Sequence, residues 1–446
     1  MKLRTSNMKF SVGLLFLAAF ALGQAQTVDS SPEVKKEILA RLTQRIESFA
    51  FVPGVKFDTW GTFLEAQKTK IDEAKDDAEF KSAVNEALRK FGFSHILLAT
   101  PKDMKARTTG QTVGIGISSQ EAEDKSGRII IRVVDKSPAK EAGLEPGDKI
   151  TEVDGKPFTA TTVLSGADGT KVRLKLVKPD GKMFEYIITR RPFSTVVKDE
   201  FRLLNPTTGL IKINTFDRAY NPTTIDELMV EAVKTKNLIV DLRFNGGGAV
   251  INLLHFAGYF VDPQLKLGFM LDKGSVTRYR LAEKKESPML TDLVKYANEY
   301  IMTPRPAKAK FAGNLVVLIN GGTGSASEIF TAAMRDLYGK KTVNAEGEVI
   351  PDVVPKNFAV VGSKSAGAVL FSTYVDTAHG FMLQMPVADY LTPSQARLEG
   401  NPIVPDVEAE DPKFLIPGAM DKPVDSALAL IERFKLRDSR AGGTRS

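Results

Sequence analysis

The chain contains no cysteine. That rules out disulfides, a lipid-modified N-terminal cysteine and a thiolate nucleophile. Histidine is nearly as scarce: three among 446 residues, His95, His255 and His379. No His/Asp/Glu cluster has metal-ligand spacing, and the glycines Gly246 to Gly248 are not followed by the Lys-Ser/Thr of a phosphate loop. Neither a metal nor a cofactor is therefore expected. A dominant charge is also missing: 61 basic residues stand against 54 acidic ones, for a net +7, spread along the chain. Nucleic acid is a poor candidate partner for such a surface.

Long apolar runs are absent with one exception. Lys2, Arg4 and Lys9 precede an apolar stretch from Phe10 to Leu22, followed by small residues with a cut predicted after Gly23 or Ala25. This is the pattern of a secretory signal peptide over residues 1–25, too short to span a bilayer. The chain is expected to be exported, periplasmic or extracellular, with no integral membrane segment once the signal is removed. Removing Lys2, Arg4 and Lys9 lowers the net charge from +7 to +4. With 43% hydrophobic and 26% charged residues, the remainder has an ordinary globular balance and room for two to three domains.

Residues 28–110 read as helical. Val34, Ile38, Leu42 and Ile46 recur every four residues, Pro53-Gly54 breaks the pattern, and Phe80, Val84, Leu88 and Phe91 resume it. The turn Gly92-Phe93-Ser94-His95 then leads into Ile96-Leu97-Leu98, placing His95 where its side chain could project into a cleft. His255, among Leu253, Leu254 and Phe256, reads as a packing residue, and His379 beside Gly380 reads as a turn residue. Residues 111–192 change to short alternating strands and turns, with a hairpin at Val153-Asp154-Gly155-Lys156. From 193 to 437 strands and helices alternate, as in an α/β core. Residues 344–357, with several charges and two prolines, read as an exposed insertion, and 438–446 as a disordered tail.

Within the α/β region the apolar run Leu315 to Ile319 enters Gly321-Gly322-Thr323-Gly324-Ser325-Ala326-Ser327-Glu328, and a helix follows to Tyr338. Such a turn can hold a hydroxyl beside the free N–H groups of a helix N-terminus, which suit a developing negative charge. Ser325 with Glu328 is equally a capping box, and spacing alone favours that plainer role. Asp241 and Arg243 read as a buried pair at a strand end.

Two sets of motifs carry family resemblances. Ser137 to Leu144 with Pro146-Gly147-Asp148-Lys149-Ile150 and Val153-Asp154-Gly155 resembles a PDZ domain. That resemblance implies that the loop Gly114, Ile115, Gly116 and Ile117 offers N–H groups to a peptide C-terminal carboxylate, and that the peptide adds a strand to the sheet edge. The carrier helix, expected from residues 163–169, looks short. Leu238 to Arg243 with Asn245-Gly246-Gly247-Gly248, followed by Gly324-Ser325-Ala326-Ser327-Glu328-Ile329, resembles the C-terminal processing (tail-specific) serine peptidases. The likeness covers roughly residues 85 to 412.

This second resemblance implies a ClpP/crotonase-like α/β core with an inserted β-rich PDZ domain and an N-terminal helical lobe. Ser325 would be the nucleophile, and Gly247 or Gly248 with the N–H of Ala326 would line an oxyanion hole. Members with a Ser-Lys pair carry the lysine where this chain has Ala368. Lys364, four residues upstream, lies about 13 Å away along an extended strand, out of reach. The tricorn-type branch lacks that lysine and uses histidine, which points to His95 as base with Ser94 and Glu399 orienting it. Glu399 opens the run Glu399-Gly400-Asn401-Pro402-Ile403-Val404-Pro405-Asp406. Asp336 matches a structural position. The implied activity is that of a serine endopeptidase acting on unfolded or C-terminally exposed polypeptides. A catalytically inactive peptide- or ligand-binding scaffold is the alternative, and an oligomer is left open.

Overall fold

The computed structural model describes residues 31–158, 164, 166–286, 288–298, 300–338, 357–412 and 420–442. The signal peptide, nearly all of the 344–357 insertion, and residues 163 and 165 of the expected carrier-helix segment lie outside the described residues. Among those described, no helix is long and apolar enough to cross a membrane.

The centre is a six-stranded sheet in the order Glu200–Asn205, Thr208–Lys212, Asn237–Asp241, Asn314–Ile319, Phe358–Gly362, Val407–Glu408. The first pair is antiparallel and the rest are parallel. The two middle strands are almost wholly apolar because both faces are covered. Alternation of side chains then sorts them. Leu238, Val240, Leu315, Val317 and Ile319 face a core shared with Phe256, Phe330 and Met334. Ile239, Val316 and Leu318 face Ala427 and Ile431 of the C-terminal helix Lys422–Gly442. Phe256, Phe260 and Phe330 meet ring to ring, and truncating such a ring to alanine typically costs about 3–5 kcal/mol.

A second, antiparallel sheet joins Leu97–Ala99, Met382–Leu391, Phe269–Asp272 and Leu370–Asp376. The N-terminal helices pack on it: Ile38, Leu42, Ile46, Trp60, Phe80, Val84 and Leu88 share a core with Phe381, Leu383 and Met385. The short strand Leu97–Ala99 pairs with Gln384 to Met382. It thereby fastens the turn before it to the α/β core.

The β-rich domain has its own sheet, with Ile117–Glu121 and Met183–Thr189 at its edges, and its own core around Ile130, Leu144, Ile150, Leu174 and Ile188. Gln111–Gly114 pairs with Arg191–Ser194, so the chain enters and leaves this domain side by side, as an insertion does.

One reading changes and another is extended. The backbone is helical to Gly442, where a tail was expected from residue 438. His255 packs edge to face against Tyr220 and Tyr259, and its ring nitrogens also reach the Tyr220 hydroxyl at 2.6 Å and Asp226 at 2.9 Å. His379 does sit in a turn, and pairs with Glu37 at 2.9 Å.

Candidate active site

The strands Asn237–Asp241 and Asn314–Ile319 are parallel neighbours, so the glycine-rich turns that follow them emerge together at their C-terminal ends. This is where α/β sheets place their sites. The turns are stitched: Gly324 N–H donates to Asn245 O at 3.0 Å. Gly247 is pressed so close to the second turn that a Cβ there would lie 2.7 Å from both Ser325 Cβ and Ala326 N.

Ser325 has φ 53° and ψ −119°, an unusual conformation for a residue with a side chain and one that over-determined sites hold in place. Two bonds fix its N–H, to Ala368 O at 3.0 Å and to Glu328 Oε2 at 3.1 Å. The second of these is the Glu328 half of the capping box. The Ser325 hydroxyl faces His95 Nε2 at 3.2 Å. Glu328 is fully buried and also accepts from Ser365 Oγ, Gly367 N and Ala368 N. Burial pushes its carboxyl up, and those donors pull it partly back.

His95, itself at φ 59°, is held from behind. Its Nδ1 lies 2.6 Å from Ser94 Oγ, and Ser94 Oγ donates to Glu399 Oε2 at 2.8 Å. Ser94 N–H donates to Glu399 Oε1 at 2.7 Å, and Val369 N–H to Glu399 Oε2 at 2.7 Å. The Ser94 hydroxyl has one proton, and the carboxylate takes it. The serine oxygen can then only accept, so Nδ1 carries the imidazole proton and Nε2 turns its lone pair to Ser325. Burial lowers the His95 pKa below the ordinary histidine value, and the Glu399 charge draws it partly back up.

The two candidate oxyanion glycines differ. The Gly247 N–H donates to Asn245 Oδ1 at 2.9 Å. Among the described residues the N–H groups of Gly248 and Ala326 have no such partner, and Ala326 opens the helix Ala326–Leu337. Gly248 is backed by residues 216 and 217: a Cβ there would fall 2.1 Å from Asp217 N. Asn245, fully buried, orients this turn from both ends, since its Nδ2 donates to Ile213 O at 2.9 Å. Asn245 and Glu328 are positioning groups that residue-type reasoning passed over as motif and cap.

Lys364 is exposed. In the β-rich domain Ile115 is buried and its carbonyl accepts from Ala139 N–H, while Gly116 O accepts from Val134 N–H. The N–H groups of Ile115 and Gly116 have no partner among the described residues, and Ile117 begins an edge strand.

Comparison with known proteins bears on this arrangement. The family description "Peptidase family S41" matches residues 207–345 and 355–409, and "PDZ domain" matches 103–172. The α/β region of the chain thus resembles peptidase family S41. A "Probable CtpA-like serine protease" of Staphylococcus haemolyticus is 27% identical over 324 residues, 70% of this chain and 56% of its own length. A namesake from Staphylococcus saprophyticus is 27% identical over 325 residues, with the same shares. The chain thus spans a little over half the length of these relatives. Among solved structures, mature CPAF complexed with lactacystin aligns at TM-score 0.52 and 13% identity, over 84% of this chain and 94% of that one. That likeness concerns the fold.

The S41 match takes in Ser325 and Glu399 but neither Ser94 nor His95, which precede both matched regions. The PDZ match also begins earlier than residue 111, in the helix Pro101–Thr109, and stops before the closing strands. Behind the S41 site Arg243 grips Asp241 with two bonds of 2.9 and 2.8 Å and reaches Asp411 at 3.0 Å and Asp421 at 2.8 Å. The buried pair read from the sequence is thus a network, and Asn320 Nδ2 joins it at Asp411 Oδ2, 2.7 Å. Burial would raise the Asp241 carboxyl, but the Arg243 hydrogen bonds and charge overcome it and hold it low. Arg243→Met should therefore leave Asp241, at 3% side-chain exposure, with only the longer 3.4 Å ion pair to Lys212, and cost about 3–5 kcal/mol in chemical denaturation. A loss under about 1 kcal/mol would show that the network is not needed for stability. Asp336 ties a neighbouring loop, accepting from Ser394 N and Oγ at 2.9 and 2.7 Å.

Proposed function

We propose that this chain is an exported serine endopeptidase with Ser325 as nucleophile and His95 as general base. The observation that carries the proposal is the unbroken hydrogen-bond chain Ser325–His95–Ser94–Glu399. A serine hydroxyl needs an adjacent base near neutral pH, and the imidazole stands within reach with its free lone pair forward. As Oγ bonds the peptide carbonyl carbon, Nε2 takes the hydroxyl proton. The oxyanion is received by the N–H groups of Gly248 and Ala326. Collapse breaks the C–N bond, and the imidazolium returns the proton to the departing amine, leaving an acyl-enzyme. His95 then deprotonates a water that attacks the ester, and Ser325 is regenerated. General base catalysis is worth roughly 10²–10⁴ and each oxyanion donor roughly 10²–10³.

Unfolded or C-terminally exposed polypeptides are the proposed substrates. The open edge strand at Ile117 and the N–H groups of Ile115 and Gly116 support capture of a peptide C-terminus. The charged, apolar and small-residue succession from Lys2 to Ala25 supports export to the periplasm or the medium. A serine-reactive phosphonate incubated with the mature protein should label Ser325, located by peptide mass, alongside cleavage of an unfolded polypeptide. Absence of both label and cleavage from about pH 5 to 9 would favour the non-catalytic scaffold instead.

A further inference from the structure

Phe244 is the large side chain nearest the glycine turn whose conformation is hardest to account for. It occupies the third position of a tight turn closed by Asn245 N–H to Leu242 O at 3.1 Å, with φ 64°. That position calls for glycine or asparagine, because a Cβ is crowded there. A bulky residue in left-handed backbone is an outlier. Burial does not compensate it: Phe244 is 55% exposed, while Arg243 and Asn245 on either side are 5% and 0% exposed. Its backbone is locked, since Phe244 N–H donates to Asn320 Oδ1 at 2.9 Å. The ring is therefore held out to solvent on a rigid mount, at a cost in both strain and exposed apolar area.

Its mount lies beside the nucleophile. The two turns run in register: Phe244 against Gly322, Asn245 against Gly324, Gly247 against Ser325 and Ala326. A Cβ on Gly322 would fall 3.0 Å from Phe244 Cα and 3.2 Å from its Cδ1. Beyond the glycines, Ile251 on the first turn of the helix Val250–Ala257 is also half exposed. Two half-exposed apolar side chains, Phe244 and Ile251, thus flank the run Gly246 to Gly248 along the chain. Strained conformations that persist at such sites point to use.

We propose that Phe244 reads the substrate: its ring is a wall of an apolar subsite for a large apolar side chain next to the scissile bond. This rests on the peptidase reading above and names its substrate class, peptides carrying residues such as leucine or phenylalanine at the cleavage point. The residue contacts substrate without taking part in proton transfer. Retaining phenylalanine against the backbone's preference then has a reason, since asparagine or glycine would fit the turn better and read nothing.

The test uses Phe244→Asn, which keeps the left-handed turn and removes the ring. A peptide series differing only at the residues flanking the cleaved bond, leucine or phenylalanine against serine or aspartate, is cleaved by wild type and variant. The expected result is a fall of roughly tenfold to hundredfold in the apolar-to-polar ratio of kcat/KM, carried by KM, with an unfolding midpoint equal to or above that of wild type. An equal fall on every peptide, or no change in the ratio, would overturn the proposal. The same peptides are titrated by fluorescence anisotropy onto Ser325→Ala with and without Phe244→Asn. Phe244-dependent apolar binding without turnover by wild type would sustain the subsite while the peptidase reading fails. Turnover without apolar preference would sustain the peptidase and sink the subsite.

Discussion

His95→Ala should lower kcat by roughly 10⁴–10⁶, as loss of the base does where nucleophile and base act as a unit. The fold should survive, because the strand neighbours Leu97 to Ala99 keep their pairing with Gln384 to Met382. Stopped-flow cleavage and a denaturation curve measured together check both halves. A loss below tenfold would mean that another group deprotonates Ser325, and Lys364→Ala would then be the next variant to make.

The pH profile gives the same prediction a sign. Only neutral imidazole accepts a proton, so activity should rise as pH climbs through the His95 pKa. Burial holds that pKa below the usual value of 6.5, so the rise should lie at lower pH than for a free imidazole. Glu399→Gln removes the charge that draws it back up, and should move the limb to still lower pH while reducing the plateau. A shift to higher pH would contradict the Ser94–Glu399 arrangement. Because folded His95 binds its proton less readily than the unfolded chain, its contribution to stability is present above about pH 6.5 and is lost as pH falls through the lowered value.

Gly247→Ala should be nearly as damaging for a different reason. Its φ of 93° already disfavours a side chain, and the new methyl would meet Gly324 O, Ser325 Cβ and Ala326 N at 2.7 Å each. These are backbone atoms or their immediate neighbours, with nowhere to swing. The two turns must part, which displaces Ser325 and the Ala326 N–H together. A misplacement of about 1 Å can cost 10² in rate, and a lost oxyanion donor another 10²–10³, so kcat should drop by roughly 10³–10⁵. Gly246→Ala is the matched comparison: nothing lies within 4 Å of a Cβ there, and kcat should stay within a few-fold of wild type. Similar losses in both variants would remove the steric argument.

Much of this architecture is legible in the residues because it follows from local rules. Alternate residues of Leu238 to Val240 and Leu315 to Ile319 are apolar on both faces, and glycine runs must interrupt them where backbones touch. The resemblance to processing peptidases brought Ser94, His95 and Glu399 into view, and the fold draws them together from positions 305 residues apart. What the sequence hid depends on partners supplied by distant segments. His255 sits on an apolar helix stripe, yet its nitrogens are claimed by Tyr220 and Asp226 from another part of the chain. Arg243 looks like half of a pair until Asp411 and Asp421 arrive. The strand Phe269–Asp272 and helix Lys273–Glu283 escaped notice because their pattern is weak: the helix buries only Ser275 and Tyr279 and starts on an Asp272 cap. Between the rival glycines, no spacing rule could tell that Asn245 already occupies the Gly247 N–H.

The separation of His95 and Ser325 by 230 positions has a consequence for biosynthesis. In translation order His95 appears first, the whole inserted domain next, Ser325 after it and Glu399 late. A nascent chain that has not yet reached Glu399 has an imidazole whose tautomer nothing enforces, and it lacks the strand Val407–Glu408 that closes the sheet. On the proposed reading, competence arrives only after Glu399 has been made and joined to Ser94.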